Sequence, residues 1–590
     1  MSNNSMGNRM NPFQTIKQRL LLIFGNNETL IALLAFLLQM LFSLYRFFPT
    51  LRDINLWDEA VYINTGRLFA NGVLTTFSHN PLIGIIYALT YLPFKSSPYW
   101  LMQSDALGRV IMFALVWWSG YLIAKRFANI FPPLIWVGLL LSTTIVTDVL
   151  PNPSDSLFAA MSALAFWKLI TYYQNRQTRE IGWASCFVGL AALSRNDGLV
   201  LFVIFVLISL FLLRPPENRW KRVLATILPF CLLVGGYLLL YRLVTGSSLI
   251  GTTERSYVAF QQGESSVYQG NPSCQQSDIR CAVLESKSLY GTPQENNDSI
   301  LKAIEHNPRA FLARVINTIK TLPKMVYTVY GKTEAYLLFL LGFLGIYELF
   351  RQRRFALLGI LLGWTAYMGV YFFTFFKNAY LQTPYFILFT LAAIGIQSLI
   401  SSFPSYKRLF LWSAILVVLT AIGIVQSLDY LYFDALILLG VIWIGYLIYR
   451  QIPGSSTSLY LVFLAGGLMV GGSFSPPQIQ TWGQIPEERA VLLLQQRLPP
   501  DSLVAAAAPG AALAARMNYY NIEDTGQSIR SAEELHSQLL GLGVKAIYVD
   551  DILIQQERYE WGLVEPGIGK DYDQIFSSGD GLVRVLLVKP

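Results

Sequence analysis

Apolar runs of about 20 residues, the length that carries an α-helix across a bilayer, recur through most of this chain. No other feature restricts the fold as strongly. Inside hydrocarbon every backbone N–H and C=O must be satisfied within the protein, which leaves helices or closed barrels. Runs this long and continuous are helical. Only 14% of the 590 residues are charged and 54% are hydrophobic, whereas a soluble chain carries about 25% charged residues. The expected class is therefore mainly α, a polytopic transmembrane helical protein. The net charge of +8 would suit a nucleic-acid partner. In a membrane protein, however, basic residues mark cytoplasmic loops, and no nucleic acid is expected.

Hydropathy and the distribution of Lys and Arg give about 13 spans. The polar N-terminus, with Arg9, Lys17 and Arg19, leads into a full-length first span at 30–48 and carries no cleavable signal. The second span is placed at 106–124, the third at 131–149 and the fourth at 156–173. The last three fall at 409–426, 434–449 and 457–474. Each loop assigned to the cytoplasm is short and basic, and the two long polar segments fall outside. This predicts a multi-pass protein of the plasma (inner) membrane with a cytoplasmic N-terminus and an extracytoplasmic C-terminus. Residues 1–475 form the transmembrane domain, with outer loops at 51–105 and 245–335. The first loop includes a short apolar return at 82–94 that dips into the interface.

Residues 476–590 change character, with 15 acidic and 9 basic residues and no spanning run. Leu503 to Ala506, Val544 to Val549 and Val583 to Val588 read as strands. Ser531-Ala-Glu-Glu534 is a capping box that opens a helix ending near Gly541 and Gly543. This is a small extracytoplasmic α/β domain. Its Ala508-Pro509-Gly510 stretch lacks the spacing of a dinucleotide fingerprint. In the second outer loop, Cys274 and Cys281 sit seven residues apart, where an oxidising compartment permits a disulfide. Pro308 to Val329 alternates apolar residues with Arg309, Arg314, Lys320 and Lys324, as a helix lying on anionic membrane lipids does.

Chemistry-bearing residues collect at the expected outer face. Leu56-Trp57-Asp58-Glu59-Ala60-Val61-Tyr62 places two adjacent carboxylates just beyond the first span. A carboxylate there is costly unless solvated, paired or used. Two acids at a helix N-terminus would also suit the dipole. Trp57 and Tyr62 read as interfacial anchors. Asp155 follows the third span and either caps the fourth helix or serves the site, with Asn152 and Ser154 as competing caps. Arg195 and Asp197 lie in Ser194-Arg-Asn-Asp-Gly198, between two short spans, where they form an ion pair or hold an anion. Lys377 either snorkels at a span end or holds an anion. His79 would complete a divalent-metal set with Asp58, Glu59 and Asp155. A lone His more often hydrogen-bonds, so no metal is assigned.

Taken in order, these features resemble the GT-C superfamily of membrane glycosyltransferases. The resemblance is to the bacterial branch related to protein O-mannosyltransferases and aminoarabinose transferases, over roughly residues 30–400. It rests on the acidic first outer loop, the Asn80-Pro81-Leu82 return, the acidic second loop and Leu193 to Gly198. Lys377-Asn-Ala-Tyr380 to Pro384 adds to it, although there Ala379 precedes Tyr380 and the nearest cation is Lys377. The resemblance implies transfer of a sugar from a polyprenyl-phosphate donor to a lipid, protein or glycan acceptor outside the membrane, with inversion. It implies Asp58 as general base, with Glu59 and Asp155 as the further catalytic acids. Arg195, Lys377 and Tyr380 would bind the donor phosphate, and His79 and Asn80 the substrate.

Two other readings compete. A transporter or flippase for lipid-linked glycans would put charges near the midplane and show repeated halves. Here the ionisable residues crowd the outer face, and no repeat is evident. A polysaccharide polymerase or ligase would also have many spans and a large outer loop. An acidic motif directly after the first span favours the glycosyltransferase.

Overall fold

The computed structural model describes residues 58–75, 80–127, 153–212, 219–246, 252–264, 278–297, 299–329, 332–376, 380–381, 383–401, 483–522, 529–555 and 559–590. The expected first and third spans, the last three spans, Trp57, His79, Cys274 and Lys377 lie outside these residues. The described part is mainly helical, with a five-stranded sheet near the C-terminus. Three described helices are long and apolar enough to cross a membrane: Trp100–Ile123, Arg219–Thr245 and Phe355–Phe372. The count of about 13 spans rests on hydropathy alone.

The segment expected as the first outer loop is a helical unit. Helix α1 (Asp58–Ala70) packs against α2 (Pro81–Tyr91), and both pack on α3 (Trp100–Phe127). Asn80 takes a left-handed backbone (φ 53°) and Pro81 follows in the first turn, where a fixed φ and a missing N–H cost nothing. The Asn-Pro-Leu return is thus a helix start. Where α1 crosses α2, a Cβ on Gly66 would stand 2.4 Å from the Tyr87 Cβ, so only glycine permits this approach. Helix α2 buries Ile83 and Tyr87 inward and exposes Ile85 and Leu89, with Leu92 exposed just after its end. Helix α3 starts at Trp100, six residues before the expected span. Asp105 and Arg109 therefore fall within its buried face.

The chain then runs along α4 (Pro153–Asn175) and returns along α5 (Thr178–Ser194). After a two-residue turn it enters α6 (Asp197–Leu207). A Cβ on Gly198 would lie 2.3 Å from the Ala192 backbone, which makes this turn dependent on glycine. Helix α7 (Arg219–Thr245) turns Trp220, Leu224, Leu232, Leu239 and Leu243 outward, the face expected of a lipid-exposed span.

The segment expected as the second outer loop contains α8 (Thr252–Gln262), α9 (Asp278–Tyr290), α10 (Ile300–His306) and α11 (Pro308–Val329). Its core is polar, with a buried acid and a buried arginine at its centre. Buried Glu264 accepts from the Tyr290 hydroxyl at 2.9 Å and from Arg314 Nη1 at 3.0 Å. Arg314 also donates to the carbonyls of Phe260 and Phe373. It is thus a buried residue of this core, not one of the basic groups facing lipid headgroups. On the same helix Leu312, Ile316 and Ile319 are exposed. Cys281 is disulfide-bonded, and Cys186 and Cys231 are free thiols.

Helices α12 (Lys332–Arg351), α13 (Phe355–Trp364, continued as a 3-10 helix to Phe372) and α14 (Tyr385–Ser401) complete the described bundle. Trp364 fixes α13 to α4, its Nε1 donating to Ser162 Oγ at 3.0 Å.

The C-terminal segment begins with α15 (Pro486–Arg497), then β1 (Leu503–Ala506), α16 (Gly510–Ala514) and β2 (Asn518–Asn521). It continues through α17 (Ala532–Gly541), β3 (Val544–Val549), α18 (Asp551–Gln555), α19 (Tyr559–Val564), β4 (Tyr572–Ser577) and β5 (Arg584–Val588). The sheet order is β2-β1-β3-β5-β4, parallel over its first three strands and antiparallel over the rest. The three expected strands and the capped helix are present. Ser531 Oγ accepts the Glu534 amide, and Glu534 Oε2 accepts the Arg530 amide. This domain seats on the first outer loop. Trp100 Nε1 donates to the Ala514 carbonyl at 3.0 Å, and Arg516 donates to the carbonyls of Lys95 and Ser97. Helix α16 is buried throughout, and four of its five residues are glycine or alanine, which allows that close approach.

Candidate active site

Because α4 and α5 run in opposite directions, the start of one and the end of the other share one end of the bundle. Asp155 lies in the first turn of α4 and Arg195 just after α5. They are ion-paired. Arg195 also donates from Nε to Asp197 Oδ2 at 2.7 Å. Its guanidinium sits 4.7 Å from the centre of the Tyr380 ring, within range of a cation–π contact. Tyr380 stacks on Tyr371 with ring centres 4.3 Å apart, and the Tyr371 hydroxyl donates to Asp197 at 3.0 Å. Three sequence-predicted residues, Asp155, Arg195 and Tyr380, are therefore brought together. The expected Arg195–Asp197 pair is present, but it is one half of a clamp. Two carboxylates grip one guanidinium.

Helix α1 reaches this cluster through Tyr62, which is buried and close enough to act electrostatically on Arg195 and Tyr380. Tyr62 thus faces the cluster; it is not the interfacial anchor that the sequence suggests. Residues four apart share a helix face, so Asp58 lies one turn before Tyr62 on that same side. Glu59, rotated by about 100°, belongs to a different environment. It faces Arg109 and Asp105 of α3. Arg109 Nε donates to Asp105 Oδ2 at 2.7 Å, and the Tyr87 hydroxyl to Asp105 Oδ1 at 2.9 Å. Burial pushes the Glu59 carboxyl above its usual value. Asp105 and Asp58 add to the shift; a bond from its own backbone N–H and the charge of Arg109 oppose it. The helix thus sends the adjacent acids to different environments: Asp58 exposed, one turn before Tyr62, and Glu59 partly buried beside Arg109. Both also lie in the first turn, where they suit the helix dipole.

Asn80 is buried and makes no side-chain cap bond to α2. His79 and Lys377 lie outside the described residues. No group of three His, Cys, Asp or Glu residues that could hold a metal ion occurs among the described residues. Sequence reasoning missed Tyr371, Tyr87, Asp105 and Arg109. For the last two there was a signal: opposite charges four residues apart in an apolar run.

No protein-family model matches the chain, and no curated protein matches it in sequence. Solved structures do. ArnT from Cupriavidus metallidurans bound to undecaprenyl phosphate superposes with a TM-score of 0.55 at 13% identity, over 95% of this chain and 99% of that one. The apo form gives 0.56 at 12% identity, over 98% and 100%. The chain has the GT-C fold. A weaker likeness is to the archaeal oligosaccharyltransferase AglB from Archaeoglobus fulgidus, in complex with an inhibitory peptide and a dolichol-phosphate. It has 13% identity and a TM-score of 0.47, over 95% of this chain and 74% of that one.

Proposed function

We propose that this protein is an inverting glycosyltransferase that moves a sugar from a polyprenyl-phosphate donor to an acceptor at the extracytoplasmic membrane face. The observation that carries the reading is the meeting of Asp155, Arg195, Asp197, Tyr371 and Tyr380 at one bundle end, with α1 bringing Tyr62 to the same place. The GT-C fold, in a relative that binds undecaprenyl phosphate, supports it.

The chemistry requires a base for the acceptor hydroxyl and a cation for the phosphate on which charge grows. Asp58 is the base. It is exposed on the cluster side of α1, where an acceptor arriving from solvent reaches it. Arg195 receives the phosphate, its planar fork matching two oxygens. Its charge is already compensated by two acids, so donor binding displaces Asp155 and the incoming phosphate takes its place. Lys377, three residues before Tyr380, supplies the further positive charge. Glu59 supports the loop and does not take the proton. Purified full-length protein, supplied with labelled polyprenyl-phosphate sugars and membrane acceptor fractions, should transfer label. Turnover-free binding followed by release across the bilayer would instead mark a transporter.

A further inference from the structure

We propose that Asp105 and Arg109 are positioning residues for the acids of the first outer loop. Their ion pair sets the rotation of α1, and so decides which of two adjacent carboxylates faces Arg195. The proposal rests on the functional reading above.

The pair sits in the first turns of an apolar helix with both side chains 5% exposed. Charges placed there are expensive. A buried ion pair stabilises a fold no better than apolar residues of similar size, and its best-attested use is to fix register. Here the register is passed on by direct contact. Asp105 holds the Tyr87 hydroxyl. The Tyr87 ring lies where a Cβ on Gly108 would be 2.5 Å away, and the Tyr87 Cβ lies against Gly66 of α1. One tyrosine thus spans three helices, fastened at its tip and gripped on two sides. Arg109 adds an electrostatic hold. It attracts Glu59, which Asp105 and Asp58 repel. Without its charge, the repulsion between Glu59 and Asp105 loses the cation that offsets it, and α1 turns away. A turn of one residue, about 100°, would exchange Asp58 for its neighbour at the cluster.

The test uses the purified full chain with a labelled polyprenyl-phosphate sugar and membrane acceptor fractions. Arg109→Gln should lower kcat by about 10²-fold, the loss that a misplacement of about 1 Å produces, with donor KM unchanged. Arg109→Lys keeps the charge and should recover most of the rate. In Arg109→Gln/Glu59→Gln the repulsion is gone, so the double variant should be no slower than Arg109→Gln alone. Losses that multiply, as independent sites give, would overturn the proposal, as would wild-type kcat in Arg109→Gln. Hydrogen exchange over residues 60–70 reads α1 without turnover. It should quicken in Arg109→Gln and return in Arg109→Lys; unchanged exchange refutes the positioning role. If the wild-type chain transfers nothing while α1 still responds to Arg109, the functional reading fails and the positioning role stands. Should Arg109→Gln not fold, Tyr87→Phe removes only the bond to Asp105 and must also quicken exchange over 60–70.

Discussion

Replacing Asp155 by Asn should tighten donor binding. Asp155 and Asp197 both neutralise Arg195, and the Arg195 and Asp155 side chains are only 14% and 6% exposed. A phosphate that takes the place of Asp155 must first break a bond between two full charges, whereas with Asn there Arg195 would donate to an uncharged oxygen and the Coulombic attraction of the pair would be gone. The displaced carboxylate then lies about 5 Å from the phosphate, where like charges repel by ~3 kcal/mol at an effective dielectric of about 20. Relaxation of the freed side chain removes part of this. The remaining gain of ~1.4–3 kcal/mol corresponds to ~10–100-fold tighter binding. Calorimetric titration of the purified protein with a polyprenyl phosphate, at fixed ionic strength, measures it directly. Arg195→Ala serves as the control that should lose affinity. Equal or weaker affinity in a folded Asp155→Asn protein would show that phosphate does not compete with Asp155 for Arg195, and the exchange mechanism would be wrong.

Asp58→Asn should reduce kcat by ~10²–10⁴ and leave donor affinity nearly unchanged, and Glu59→Gln should cost less; steady-state kinetics with direct donor titration separates the two. The raised Glu59 carboxyl binds its proton more tightly folded than unfolded, so stability falls as pH rises from the usual value of 4.5 through the raised one. Glu59→Gln should therefore melt higher than wild type at neutral pH, with the difference vanishing below about pH 4.5 in a thermal series. Trp100→Phe removes the bond to the Ala514 carbonyl and should cost about 1 kcal/mol, read as earlier proteolytic release of the C-terminal domain. Denatured protein should label at two of its four cysteines before reduction and at all four after it, if Cys274 is the partner of Cys281.

Local signals were legible in the sequence, and partnerships were not. Ser194-Arg195-Asn196-Asp197-Gly198 stands out because charges confined to a short turn between two apolar runs must be paired or used. The capping box at Ser531 is likewise a contiguous pattern. The Asp155–Arg195 pair joins residues forty apart, and it depends on how α4 and α5 lie together. Asp105 and Arg109 were hidden by averaging. A hydropathy window dilutes two charges among apolar neighbours, and the expected span began just past Asp105. Tyr371 is one aromatic among 32 tyrosines and 37 phenylalanines, so its type alone carries no information. The polar edge strand Asn518–Asn521 lacks alternation and becomes a strand only beside β1.

The seat of the C-terminal domain on the first outer loop has a consequence for biogenesis. Trp100 and Ala514 are 414 residues apart. A ribosome adding roughly 5–20 residues per second needs ~20–80 s to cover that interval. Throughout it, the newly inserted loop waits with its indole uncovered at the membrane surface. A nascent chain that stops before residue 514 leaves that indole uncovered. The segment made long after the loop is the one that shields it.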